Sequence, residues 1–307
     1  MRMNLQNIVR GKLKRSYRVL LYGPEGVGKT TWASEAPSPI YLGAEDGTSQ
    51  LDIARFPEPE RWEDVFAAVE QLLTSNHDYQ TLVLDTLDWL EPLCWRWVCE
   101  NASDDKGAKH DSIDEYGWGR GYNAALDQWR KLVAALDKLR STKGINIILL
   151  AHTQIRNYKN PMGPDYDRYE LKLNGKAAGL LREWTDAVLF AQYETYTQEQ
   201  NKRTKGIDSG ARVVHTERRA GFEAKNRLGL PAKLALSYGE FHAAMSSGLD
   251  PGTLVAAVQA AAEGLANGDR EQVADYLKKA GNDPEKLSKL LNRVKAKINI
   301  KQEKEHD

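Results

Sequence analysis

The stretch Arg18-Val19-Leu20-Leu21-Tyr22-Gly23-Pro24-Glu25-Gly26-Val27-Gly28-Lys29-Thr30-Thr31 decides how the rest of this chain is read. Its first residues, Arg18–Tyr22, form a short apolar run that predicts a buried strand. The strand enters Gly23–Thr30, which fits the pattern GxxxxGK[ST]. Lys29–Ala36 then predicts a short helix, stopped by Pro37. Glycines at these positions let the backbone wrap so that successive N–H groups point into one concavity. The helix that follows adds its positive N-terminal end. Such a cradle suits a polyphosphate, and the expected ligand is ATP with Mg²⁺. Its contacts are expected from Gly23, Pro24, Glu25, Gly26, Val27, Gly28, Lys29, Thr30 and Thr31. Lys29 is expected to reach the β- and γ-phosphates, and the Thr30 hydroxyl to sit on Mg²⁺.

Outward from this loop, short apolar runs alternate with helical patterns. Strands are predicted at Ile40–Ala44, Thr81–Leu84, Ile145–Ala151 and Asp186–Tyr193. Helices are predicted at Trp62–Leu73, Leu87–Glu100, Asn123–Arg140 and Lys176–Trp184. That alternation implies an α/β core, a mainly parallel sheet covered by helices on both faces. Residues 211–237 read as antiparallel strands with tight turns. Two stretches, 101–122 and 153–176, read as long polar loops, a length more often functional than idle. Near Asp250-Pro251 the composition turns to Ala, Leu and Lys, and about three helices are expected near 253–266, 270–280 and 284–298. The expected organisation is a basic arm at 1–15, an ATPase core at 16–245, a small helical domain at 250–300 and a disordered tail at 301–307.

In an open parallel sheet, ligands bind outside the carboxyl ends of the strands. Asp85 ends TLVLD and is expected to hold the hydration shell of Mg²⁺ together with Thr30. Glu45 ends IYLGAE and is a candidate catalytic base that orients the attacking water, with Asp46 next in line. A solvated loop acid or helix cap is the other reading of Glu45. His152 ends INIILLAH and is a candidate γ-phosphate sensor, with Thr153 and Gln154 as understudies. A histidine hydrogen-bonded at a strand end is the alternative.

The chain has 307 residues, 43 Lys and Arg against 43 Asp and Glu, and 28% charged residues. Overall charge therefore gives no argument for nucleic acid, and any basic surface must be local. No run is long and apolar enough to span a membrane, and the basic N-terminus lacks the apolar stretch of a secretory signal, so a cytoplasmic protein is expected. Cys94 and Cys99 match no metal motif and read as reduced thiols. Cations interleaved with aromatics suit a single-strand binder. Residues 153–176 supply Arg156, Tyr158, Lys159, Arg168, Tyr169 and Lys172 in that manner. Residues 101–122 supply Lys106, Lys109, Trp118, Arg120 and Tyr122, beside five acids.

The pieces GPEGVGKT, IYLGAEDG, TLVLDTLDWL and IILLAHTQIR, in this order, resemble the RecA-like P-loop ATPases. The segment Ala224-Lys225-Asn226-Arg227, running to Pro231, is similar to the basic pair with which recombinases reach the ATP of a neighbouring subunit. By that resemblance Lys225 and Arg227 are trans-acting catalytic cations. YGPEGVGKTT, DEYGWGRGY, REWTDAVLFA and AKNRLGLP bring the chain closest to the phage nucleotide-binding proteins of the Sak-type single-strand annealing class, over about residues 16–240. The resemblance implies a RecA-like core, ATP-dependent assembly on single-stranded DNA as a ring or filament, and annealing or strand pairing in phage recombination inside a bacterial host. A single-strand-binding protein is a partner expected by analogy. A helicase-like ring or helicase loader, and a nucleotide-regulated assembly protein with slow turnover, are the competing readings. The chain departs from that pattern in lacking an N-terminal polymerisation helix and in carrying extra C-terminal helices.

Overall fold

The computed structural model describes residues 15–43, 50–200, 203–247, 251–263, 265, 267–281, 283, 286–287, 290–291 and 293–294. The first part of the chain runs β1 (Arg18–Gly23), α1 (Lys29–Ser34), β2 (Pro39–Leu42), β3 (Ala54–Arg55), α2 (Trp62–Thr74), β4 (Thr81–Leu84) and α3 (Leu87–Asn101). A single 3-10 turn at Ile113–Tyr116 leads to α4 (Arg120–Lys143), β5 (Asn146–Tyr158), β6 (Tyr166–Leu171) and α5 (Gly175–Trp184). Then follow β7 (Ala187–Gln200), β8 (Arg203–His215), β9 (Lys225–Asn226), β10 (Lys233–Ala235), α6 (Tyr238–Ser247), α7 (Pro251–Ala262) and α8 (Asn267–Ala280). This is a mainly parallel, mixed sheet with helices, the α/β architecture of a P-loop NTPase. Contacts divide the chain into two compact units, the first being Met1–Leu20, Ala36–His152 and Leu171–Thr185, the second Leu21–Glu35, Thr153–Glu170 and Asp186–Asp307.

The first unit contains a parallel run in the order β5-β4-β2-β3. Leu82, Val83 and Leu84 of β4 lie opposite Ile147, Ile148 and Leu149 of β5, and all six are fully buried. Unbroken apolar runs are what a strand covered on both faces requires. Each such side chain contributes about 1.5–3 kcal/mol by leaving water. The start of β1 joins at β5, where the Ile147 N–H donates to the Tyr17 carbonyl at 2.9 Å. Helix α2 buries Trp62, Val65, Ala68, Val69 and Leu72, one stripe at helical spacing. Its Asp64 carboxylate accepts from the Arg61 N–H at 2.9 Å and closes the helix start. Trp62 meets Trp129 of α4 edge to face at 5.1 Å. Helix α4 ends at Gly144, with Arg140 and Lys143 in the last turn, where their charge suits the helix dipole. Both cysteines are free thiols on α3, and burial, then the Glu91 charge, pushes the Cys94 thiol up.

In the second unit β7 and β8 form a long antiparallel hairpin. Strand β10 pairs antiparallel with β8, and β9 with β7. Trp32 of α1 packs edge-on against Tyr238 and Phe241 of α6, each at 5.2 Å. Val258, Ala262, Leu265, Val273, Leu287, Leu290, Leu291 and Val294 make an apolar cluster of their own around α7 and α8. The expected third C-terminal helix, 284–298, falls partly outside the described residues, and residues 1–14 and the tail 301–307 lie wholly outside them.

Three expectations are corrected here. Residues 153–176 are no loop: β5 continues to Tyr158 and β6 returns as its partner. Both strands there carry polar residues on both faces, which removes the alternation that marks a strand. Consequently His152 lies inside β5 and is not its end. Residues 101–122 also hold structure, since α4 begins at Arg120 and the turn Ile113–Tyr116 buries Ile113 and Tyr116.

Candidate functional site

In the second unit, the loop Gly23–Thr30 leaves β1 and enters α1. A Cβ on Gly23 would stand 2.4 Å from the Ala191 carbonyl oxygen of β7, so no side chain fits the first position of the loop. Gly28 has φ +103°, a left-handed conformation that glycine alone adopts without strain. Lys29 is 5% exposed, and its Nζ donates to the carbonyls of Gly23 at 3.1 Å and Pro24 at 3.0 Å. An ammonium that deep in protein is costly unless hydrogen-bonded, and these carbonyls meet that need. Thr30 is half-buried and Thr31, Glu25 and Gly26 are exposed.

Sequence reasoning missed two side chains that touch this loop. The Tyr193 hydroxyl of β7 donates to the Gly26 carbonyl at 2.8 Å. Arg212 of β8 places Nη1 3.4 Å from the Val27 carbonyl oxygen. Tyr193 and Arg212 are direct cross-strand partners, beside a break in register between Tyr193 and Thr195. They lie far along the chain from the loop and carry no motif, so only the strand register could have linked them.

In the first unit, Asp85 follows β4 and is 3% exposed. Its N–H donates to the Leu42 carbonyl of β2 at 3.1 Å. Burial, then the Asp85 charge, pushes the buried Tyr41 phenol well above its usual range. One helical turn on, Asp88 of α3 accepts from the His152 backbone N–H at 2.9 Å and faces the ring Nδ1 at 2.8 Å. Burial pushes the Asp88 carboxyl up, but the hydrogen bonds from His152 outweigh it and leave the group below its ordinary value. A carboxylate at that distance accepts from a proton on Nδ1 and so orients the imidazole ring. Glu91, also buried, accepts from the Asn174 N–H with both oxygens at 3.0 Å and so anchors the start of α5. Asp88 and Glu91 were both missed, because a buried acid on a helix has no signature in a single sequence. Glu45 and Asp46 lie outside the described residues.

The expected DNA contacts separate. Arg156 and Lys159 are exposed in the second unit, and Lys172 is exposed in the first. Lys159 pairs with Asp165 at 2.6 Å across the β5–β6 turn. Arg168 is a correction: it is 8% exposed and bonds Glu170 at 2.6 Å and Glu223 at 2.8 Å. Its guanidinium also lies 4.0 Å over the Tyr158 ring. Two carboxylates and an aromatic face commit Arg168 and one face of Tyr158 to the interior, not to a phosphate chain. Tyr169 stacks on Phe190 at 5.3 Å and keeps an exposed edge. In the first unit Trp118 is almost wholly exposed, while Arg120 is ion-paired with Asp105. Lys225 and Arg227 flank Asn226, whose side chain accepts from the Leu228 and Leu230 N–H groups and donates to the Leu230 carbonyl. That turn fixes the backbone carrying both cations.

Among the described residues no group of three or more His, Cys, Asp or Glu is placed to hold a metal ion. A phosphate-bound Mg²⁺ needs only one or two protein ligands, so a Thr hydroxyl and one carboxylate are a suitable donor set. No helix of the described residues is long and apolar enough to cross a membrane.

Comparison with known proteins gives three findings. The family AAA_24, described as AAA domain, matches residues 15–228, a span that includes the loop, Asp85, His152, Lys225 and Arg227. The SPbeta prophage-derived uncharacterized protein YorG of Bacillus subtilis (strain 168) is 27% identical over 140 residues, 44% of this chain. The match spans only 40% of that relative's length. The RadB recombinase structure aligns over 68% of this chain and 84% of its own, at 14% identity and a TM-score of 0.38.

Proposed function

We propose that this P-loop protein, which belongs to the AAA domain family AAA_24, hydrolyses ATP and works on single-stranded DNA, promoting annealing or strand pairing. The observation that carries the ATP reading is the loop Gly23–Thr30, with glycine-only geometry at Gly28 and a buried Lys29 over its first peptides. In this reading Lys29 binds the outer phosphates, and Thr30 and Asp85 hold Mg²⁺. The bound nucleotide supplies the phosphoanhydride that is cleaved. Glu45 orients the attacking water. His152, held by Asp88, senses the γ-phosphate, and it stands where β5 passes toward its distal, polar half. Lys225 and Arg227 complete the site of a neighbouring copy in a ring or filament. Residues 250–300 make a small helical domain in this reading, and its described residues include an apolar cluster.

The single-strand reading is supported by the resemblance of YGPEGVGKTT, DEYGWGRGY, REWTDAVLFA and AKNRLGLP to annealing proteins, and by Arg156, Lys159 and the Tyr169 edge on the β5–β6 hairpin. The prophage origin in the name of one relative suits a phage recombination protein in a bacterial cytoplasm. The test is the ATPase rate with and without single-stranded DNA, with electron micrographs of the mixture. Stimulation with assembled rings or filaments supports the proposal. No stimulation and no DNA shift at low salt rejects its DNA half. Glu45→Gln is expected to retain binding and lower hydrolysis by about two orders of magnitude, the scale of a positioned base.

A further inference from the structure

The cross-strand pair Tyr193 and Arg212 touches the phosphate loop in a way that bears on how the loop works. A peptide group is planar and trans, so its carbonyl and its N–H point to opposite sides. The Gly26 carbonyl belongs to the same peptide as the Val27 N–H. The Val27 carbonyl belongs to the same peptide as the Gly28 N–H. Tyr193 holds the first carbonyl at 2.8 Å, and Arg212 stands 3.4 Å from the second. Each therefore leaves the N–H of the same peptide facing the opposite side of the loop, the side a bound polyphosphate would occupy in this reading.

Arg212 does more than orient. Its Nη1 lies so close to Gly28 that a Cβ there would stand 2.8 Å away. The guanidinium thus rests against the glycine whose positive φ shapes the loop. Arg212 is exposed, so solvent screens its charge, yet a positive charge on the carbonyl side still favours an N–H that donates to an anion on the other side. Its backbone is itself anchored, since the Leu236 N–H donates to the Arg212 carbonyl at 2.9 Å. The two residues face each other across the ladder, so the base of the β7–β8 hairpin acts on the loop as one piece.

We infer that Tyr193 and Arg212 are positioning residues for polyphosphate binding: they aim the Val27 and Gly28 amides, and the Arg212 charge strengthens the anion site from behind. The inference rests on reading the loop as a polyphosphate site. Neither side chain touches the nucleotide base in this account, so the effect belongs to the phosphates alone.

The test is calorimetric affinity for magnesium tripolyphosphate and for MgATP, with thermal unfolding of each variant alongside. Arg212→Gln is expected to weaken both ligands by the same factor, about tenfold, the scale of one hydrogen bond involving a charged group. Arg212→Lys, which keeps the charge, is expected to recover most of that loss. Tyr193→Phe is expected to weaken both ligands about threefold. The affinity of Arg212→Gln should also depend less steeply on salt. Equal losses in the Lys and Gln variants would mean mere packing and overturn the inference. A loss confined to MgATP would overturn it in favour of a base contact. Wild-type affinity in Arg212→Gln rejects this inference alone. A wild-type protein that binds neither ligand rejects the phosphate-loop reading, and the inference falls with it.

Discussion

The phosphate loop and the Asp88–His152 pair each lie where a strand approaches a helix, yet they are held by opposite means. The loop is made of backbone. Its shape needs glycine where φ is positive at Gly28 and where β7 crowds Gly23, and those needs are written as a motif. The pair is made of side chains. Asp88 reaches from the first turn of α3 to both the backbone and the ring of His152, in the interior of β5. Backbone-built sites constrain residue type at fixed spacing. Side-chain sites constrain only which distant residues meet. The first kind is legible in one sequence and the second is not.

The largest effect expected is at the loop. Lys29→Ala should cost about 2–5 kcal/mol of nucleotide binding, the scale for losing one partner of a buried charge contact. Retained affinity in a calorimetric titration would remove the contrast by showing that the loop is not the anion site. Next is Arg168, whose ion pairs with Glu170 and Glu223 are largely buried. Arg168→Ala should lower stability by about 2–3 kcal/mol in denaturant unfolding, since it strands two carboxylates. Unchanged stability with weakened DNA binding would restore the surface role set aside above.

Asp88→Asn should cost about 1–2 kcal/mol, because it keeps shape but weakens hydrogen bonds to a charged group. It also has a pH signature. The carboxyl of Asp88 is held below its ordinary value in the folded chain, so its contribution is present above the unfolded carboxylate pKa. That contribution is lost as pH falls through the acid range, from about pH 4 downward. Unfolding midpoints against pH should therefore fall less steeply in Asp88→Asn than in wild type. Parallel curves would show that the pair contributes no charge. The smallest effect is at Lys159, exposed on the β5–β6 turn. Lys159→Ala should reduce the salt slope of single-strand binding by about one, with stability unchanged.

The same division governs the rest of the fold. Strands buried on both faces, such as β4 and the first half of β5, stood out as apolar runs in the sequence. The distal half of β5 and β6 did not, because polar residues on both faces leave no period. Arg168 was read as a surface cation because nothing local reveals Glu223, fifty-five residues on. Tyr193 and Arg212 were invisible for the same reason. Trp62, by contrast, opened a helix whose stripe was legible, and it does pack inward against Trp129.

The central claim is that amides of residues 23–30 bind a polyphosphate with magnesium. Titrating MgATP into the intact chain in a calorimeter tests it most directly. The expected result is saturable uptake of about one nucleotide per chain that tripolyphosphate competes away. No heat of binding, or uptake that tripolyphosphate leaves untouched, would contradict it.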